Sequence, residues 1–108
     1  MIASEEEVER ALSFLRDSAA ELGEARARAI KAGHWLKHVE ALEYKASEAR
    51  NEAGRKADAR TSERYVQAIY EDADAAGELA KLYALREAAA AKIEAWRSQS
   101  ANYRAMKI

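Results

Sequence analysis

The sequence contains no cysteine and no proline, and each absence excludes a class of structure or chemistry. Without cysteine there are no disulfides, no thiolate zinc sites and no cysteine nucleophiles. Without proline, no position is an obligatory helix breaker. Glycine occurs only four times and at scattered positions, so the chain has no glycine-rich loop of the kind that cradles phosphates.

Long hydrophobic runs are also absent. No apolar stretch is long enough to span a bilayer, and none near the start resembles the core of a signal peptide. We therefore expect a soluble cytoplasmic protein without membrane contact. The formal net charge of −1 gives no overall preference for nucleic acid, so an argument for DNA binding has to rest on a local cluster of charge.

The residues that are abundant favour helices. The 108 residues include 27 alanines, and alanine is the strongest helix former. Leucine, isoleucine, valine and phenylalanine total only 17, which is few for a thick globular core. The near-zero net charge argues against disorder. The composition predicts an all-α fold of slender helices packed along an alanine-rich surface.

A first helix is predicted from residue 4 to about 52. Ser4 is followed three residues later by Glu7, the spacing of a capping box, and acidic residues fill the first turn. Apolar residues then recur at helical steps. The predicted core stripe consists of Val8, Leu12, Leu15, Ala19, Leu22, Ile30, Leu36 and Val39.

A turn is predicted within residues 51–62. The stretch 45–64, KASEARNEAGRKADARTSER, has no large aliphatic or aromatic side chain. Asn51 and Gly54 are typical helix stop signals and Ser62 is a typical start signal. One uninterrupted solvated helix through this region is the alternative. A second helix should follow over about 62–103, with a stripe of Tyr65, Ile69, Ala76, Leu79, Leu82, Ala89, Ile93, Trp96 and Tyr103.

Two long helices joined by one turn predict an antiparallel, coiled-coil-like hairpin forming a single domain over residues 1–108. Such a hairpin buries only one seam, which seldom stabilises a chain of this length. We therefore expect a homodimer or higher homo-oligomer, with four helices side by side. A second apolar stripe would be buried there, including Phe14, Tyr70, Tyr83 and Leu85.

His34 and His38 lie one helical turn apart and are the candidate metal ligands. Zinc needs three or four ligands, and the hairpin register would place Asp72 and Asp74 opposite. However, Trp35 occupies the position of the general base in a zinc-protease helix. A solvated polar face accounts for the histidines more simply, so we predict no metal and no cofactor.

We also expect no enzymatic activity, because no serine or other nucleophile has a base and an orienting group in a suitable pattern.

The end of the chain is more informative about function. Aromatic and cationic residues alternate there with no acid after Glu94, a pattern typical of surfaces that bind single-stranded nucleic acid. The candidate nucleic-acid or partner contacts are Trp96, Arg97, Tyr103, Arg104 and Lys107. The residues alone favour the other interpretation, in which the two aromatics lie in the core stripe and the arginines face the acidic start of the first helix.

The stretch LYALREAAAAKIEAWRSQSANYR, together with YKASEAR upstream, resembles a group of small alanine-rich helical proteins encoded by bacteriophages. The resemblance covers roughly residues 44–105. It implies a protein of the infected bacterial cytoplasm that accompanies phage recombination and single-strand annealing functions, by binding DNA or a recombination protein. It implies no catalytic residues.

The sequence thus predicts a non-enzymatic helical binding protein that acts in DNA recombination or single-stranded DNA handling. Two alternatives stay open. One is an anti-CRISPR-like phage inhibitor that occludes the surface of a host defence complex, for which the acidic stretch YEDADAAGE could mimic a phosphate backbone. The other is a structural coiled-coil scaffold with neither activity.

Overall fold

The computed structural model describes residues 3–107, and α-helices are the only regular elements among them. Helix α1 comprises Glu5–Asp17, α2 Ala19–Ala46, α3 Glu52–Thr61 and α4 Glu63–Met106. The predicted all-α class is confirmed. In this described part of the chain, no helix combines the length and the apolar character needed to cross a membrane.

Helix α1 begins as its sequence predicts. Ser4 has extended backbone angles, and its hydroxyl accepts a hydrogen bond from the Glu7 amide at 3.2 Å. Such a cap satisfies one of the amides that have no partner within the first turn. Three glutamates in that turn add a favourable interaction with the helix dipole. The predicted N-cap is confirmed.

Arg86 of α4 accounts for the interruption between α1 and α2. Its Nη1 donates hydrogen bonds to the Leu15 carbonyl at 2.8 Å and to the buried Ser18 hydroxyl at 2.6 Å. In a continuous α-helix, the Leu15 carbonyl would accept from the amide of residue 19. A side chain inserted into this ladder bends or interrupts a helix. The predicted unbroken helix over residues 4–52 is therefore corrected at Ser18.

A short connection, residues 47–51, follows α2. Ser47 donates its hydroxyl hydrogen to the Asp58 carboxylate at 2.6 Å, which ties the connection to α3. Asn51 has extended backbone angles, and its side-chain oxygen accepts from the Gly54 amide at 2.7 Å. Asn51, interpreted from the sequence as a stop signal, is thus the N-cap of α3.

Within the range 51–62 predicted to hold the turn, the chain is non-helical only at the two ends, because α3 lies between them. The chain leaves helical geometry before it, over 47–51, and again at Ser62. Ser62 has extended backbone angles and accepts a hydrogen bond from the Tyr65 amide at 3.1 Å. Asparagine and serine side chains can either stop or start a helix. The sequence therefore indicated that helices break near residues 51–62 but not which helix ends or begins at each residue.

The described residues divide into two compact units. One unit is Glu24–Leu79. The other combines the described residues up to Gly23 with those from Ala80 onward. Helix α3 lies within the unit Glu24–Leu79.

Burial along α1 and α2 follows alternating steps of three and four residues. This is the seven-residue period of a coiled-coil seam. Leu12 and Ile30, predicted as core, fall outside that period and are 52% and 61% exposed. Ala19 is exposed as well. The buried and half-buried positions of the seam are Val8, Ala11, Leu15, Ser18, Leu22, Ala25, Ala29, Ala32, Leu36, Val39 and Glu43.

Helix α4 has a seam with the same period. Ile69, Ala76 and Tyr103, predicted as core, are exposed. Ala68 is buried and Ala75 is half-buried in place of Ile69 and Ala76. Alanine allows helices to approach closely, so period rather than side-chain size decides which residues are buried. The seam consists of Tyr65, Ala68, Asp72, Ala75, Leu79, Leu82, Arg86, Ala89, Ile93, Trp96 and Ser100.

The residues of α2 and the later helices that approach each other within the unit Glu24–Leu79 follow a consistent order. As the residue number on α2 falls from 40 to 28, the number of its partner rises from 60 to 78. The pairs are Glu40 with Arg60, Trp35 with Arg64, Gly33 with Asp72, and Arg28 with Glu78.

Candidate functional site

The last turns of α4 carry the predicted contact residues. Trp96 lies in the α4 seam and is half-buried, so only part of its ring is accessible. Arg97 is exposed, and its Nη1 forms an ion pair with the Glu94 carboxylate at 3.2 Å. Exposed pairs of this kind contribute less than about 1 kcal/mol, so Arg97 can exchange Glu94 for another anion at little cost.

Tyr103 and Lys107 lie together at the end of this segment. The Lys107 ammonium lies 4.7 Å from the centre of the Tyr103 ring, within the range of a cation–π interaction. Tyr103 is 58% exposed, and Arg104 beside it is exposed too. Residues 95–107 contain no acid. The end of α4 therefore presents a ring face and several cations to solvent.

A groove of about 1300 Å³ runs along residues 95–106, with Ala3 and Glu5 contributing to its lining. Consecutive residues of a helix point in all directions, so the groove is open space around an exposed helix end and not an enclosed cavity. The lining includes Trp96, Arg97, Tyr103 and Arg104 but not Lys107. An open surface of this form suits contact with an extended partner.

His34 and His38 are both exposed on α2. Asp72 does approach this part of α2, since a Cβ placed on Gly33 would lie 3.6 Å from its Oδ1. Within residues 3–107, however, no group of three or more histidine, aspartate or glutamate side chains is arranged to hold a metal ion. The His–His–Asp cluster considered from the sequence is not formed there.

The two histidines instead belong to an aromatic and cationic surface around Trp35. The rings of Trp35 and His38 have centroids 5.6 Å apart, and the Arg64 guanidinium carbon lies 5.5 Å from the centre of the Trp35 ring. A shallow concavity of about 330 Å³ is lined by Ile30, Lys31, His34, Trp35 and His38.

Sequence reasoning did not assign Trp35 and Arg64 to this surface. One signal was present in the sequence: residues 25–39 contain no acid while including two arginines, two lysines and two histidines. Arg64 follows Trp35 by 29 positions, so only the fold brings the two together.

The chain matches no family model, no curated protein and no solved structure. Its resemblance to phage helical proteins stays a prediction from the sequence.

Proposed function

We propose that this protein is a non-enzymatic accessory of DNA recombination that binds single-stranded DNA through the end of α4. The observation that supports this proposal best is the acid-free segment 95–107, with an exposed tyrosine beside an arginine and a lysine. In keeping with the resemblance of residues 44–105, its setting would be the cytoplasm of an infected bacterial host.

The chemistry of the segment fits an unpaired strand. A base can stack on the exposed ring of Tyr103, and stacking on one aromatic contributes about 1–3 kcal/mol. Arg97, Arg104 and Lys107 supply cations for phosphates, and each phosphate neutralised releases a counterion. Trp96 would contribute only the part of its ring that the seam leaves accessible.

The proposed architecture is an antiparallel hairpin that pairs with a second copy. The opposite order of the partner numbers on α2 and on the later helices supports antiparallel packing in the unit Glu24–Leu79. Apolar side chains left on the surface support self-association. The exposed ones are Leu12, Ile30, Trp35, Leu42, Ile69, Tyr70, Tyr83, Leu85, Tyr103 and Met106.

One detail of the predicted dimer surface needs correction. Tyr83 and Leu85 are two positions apart on α4 and therefore point about 200° apart around its axis. They do not belong to one stripe with Phe14 and Tyr70. A second copy would have to cover more than one face, or only some of these residues.

The same exposed apolar residues favour a second candidate function, which is binding to a protein. A recombinase, a single-strand-binding protein or a host defence complex could be that partner. Tyr70 and Leu85 would then be interface residues, and the protein would bind its partner without any affinity for DNA.

A charge-matched pair of variants tests the DNA proposal. Arg97→Ala combined with Arg104→Ala should weaken binding of labelled single-stranded DNA. The slope of log affinity against log salt should fall by about 1.4, because each phosphate contact contributes roughly 0.7 for single strands. Binding is followed by fluorescence anisotropy over a salt series.

Lys81→Ala combined with Lys92→Ala is the control, since both lysines are exposed on the same helix but outside the segment. The control removes the same charge and should keep most of the salt slope. If both double variants lost affinity and salt slope equally, binding would depend only on net charge. That result would contradict a site at the end of α4.

A further inference from the structure

We infer that the surface around Trp35 is a second binding site for single-stranded nucleic acid, in which a base stacks on Trp35 and phosphates contact the surrounding cations. This inference rests on the proposed function in its choice of ligand, but on different residues. All of them lie in the unit Glu24–Leu79.

The aromatic part of the site is partly organised already. Arg64 lies over the Trp35 ring at 5.5 Å, and the His38 ring lies 5.6 Å away at a tilt of 38°. Trp35 nevertheless stays 41% exposed, which is unusual for the largest apolar side chain and leaves ring surface for a planar group. An exposed indole beside a guanidinium is the combination on which unpaired bases stack.

The polar side chains around that ring are lysines, histidines and an arginine. Lys31, His34 and His38 line the concavity with Trp35, and Lys37 is exposed on the same helix. Within the lining there is no aspartate or glutamate. Residues 25–39, from which the α2 part of the surface comes, carry no acid at all. The site is therefore complementary to a chain of phosphates.

Two acids near the acid-free stretch are paired with arginines. Glu40, just beyond the stretch, accepts from Arg60 at 3.4 Å, and Glu78 pairs with Arg28 at 3.1 Å. Asp72 is half-buried in the α4 seam, and its Oδ1 lies 3.6 Å from the position of a Cβ placed on Gly33. None of these three acids lines the concavity around Trp35.

A single strand suits this surface better than a duplex or an acidic protein. In a duplex the base faces are stacked on one another, so Trp35 could not contribute. An acidic protein would satisfy the cations but would leave the indole without a planar partner. The site predicts binding in which aromatic stacking and phosphate contact are both measurable.

The test compares Trp35→Ala with Tyr44→Ala in binding a labelled oligothymidylate of about 16 nucleotides, the upper end of a typical single-strand site. Tyr44 is a matched control, because it is an aromatic in the same unit with the Arg55 guanidinium 5.9 Å from the centre of its ring, but it lies outside the concavity. Trp35→Ala should weaken binding by roughly 5- to 140-fold, the range expected for one stacked base. Tyr44→Ala should leave binding within about twofold of the unchanged protein.

A spectroscopic measurement separates stacking from a loss of folding. In a Trp96→Phe variant, Trp35 is the remaining tryptophan, so quenching of its fluorescence by oligothymidylate reports directly on contact with a base. Arg64→Ala should weaken binding and flatten its salt dependence, while Arg50→Ala, exposed in the connection 47–51, should do so far less.

Several outcomes would overturn the inference. If the unchanged protein binds the strand but Trp35→Ala binds equally well and Trp35 is not quenched, the second site is absent while the proposed function stands. If Trp35→Ala instead lowers the mass of an oligomer and leaves DNA binding intact, Trp35 belongs to a protein interface. If the unchanged protein does not bind the strand, the proposed function and this inference both fail.

Discussion

Two glycines of this chain differ in the space that they leave for an added methyl group. A Cβ on Gly77, in the interior of α4, would have no atom within 4 Å apart from its chain neighbours and the backbone of its own helix turns. A Cβ on Gly54, in the first turn of α3, would lie 2.9 Å from the Ala49 Cβ and 3.1 Å from the Asn51 Oδ1. The first site is open space and the second is closed by the connection that precedes α3.

Alanine substitutions at these positions should therefore change stability in opposite directions. Gly77→Ala should raise the free energy of unfolding by about 0.5–1 kcal/mol, since alanine loses less backbone entropy in a helix. Gly54→Ala should lower it, because the added methyl group forces the Asn51 cap or Ala49 to move. Urea denaturation of both variants is the measurement. Stabilisation by both substitutions would show that the connection 47–51 is not packed against α3 as described.

Contacts of two arginines explain why part of the structure could not be predicted from the sequence. Arg86 interrupts α1–α2 through atoms of Leu15 and Ser18, which precede it by 71 and 68 positions. No local pattern indicates such a contact. Arg64 at Trp35 is missed for the same reason, because it depends on which helix turns face each other.

At the scale of elements, the seven-residue period of α4 makes a prediction about two adjacent alanines. Ala89 lies in the seam and is buried, whereas Ala90 is exposed. Ala89→Leu should destabilise the protein by about 1–3 kcal/mol through overpacking. Ala90→Leu should change stability by less than about 0.5 kcal/mol. Thermal and urea unfolding would contradict the seam if the two variants were equivalent or their order were reversed.

The elements show what sequence periodicity can and cannot resolve. Helix content and the Ser4 cap follow from composition and a local spacing, so both were predictable. The seams were predicted only in part: Val8 and Leu82 lie in them, while Leu12 and Ile69 do not. Large apolar residues are readily assigned to a core from the sequence. In these alanine-rich helices, however, the alternating steps of three and four residues decide which positions are buried.

The candidate site was predictable to a similar degree. The aromatic and basic pattern at the end of α4 is local, and the structure leaves Tyr103 and Arg104 exposed there. The half-burial of Trp96 in the α4 seam agrees with its predicted place in the core stripe. The Trp35 surface needed a contact between α2 and α4, so the sequence offered the acid-free stretch but not the site.

At the scale of the whole molecule, the thin core and the exposed apolar residues lead us to expect self-association. Only eight hydrophobic residues are buried among those described, five of them alanines. Sedimentation equilibrium should therefore give about twice the chain mass of 12.0 kDa, with dissociation on dilution. A mass of one chain at every concentration would contradict the proposed dimer. The exposed apolar residues would then be candidates for contact with a different protein.

The proposed function depends on binding to single-stranded DNA, which the fluorescence anisotropy of a labelled single strand at low and at high salt measures. We expect binding at low salt that weakens steeply as salt rises, since phosphate contacts release counterions. Absence of binding at low salt would overturn the proposed function and would leave a recombination or defence protein as the partner to test next.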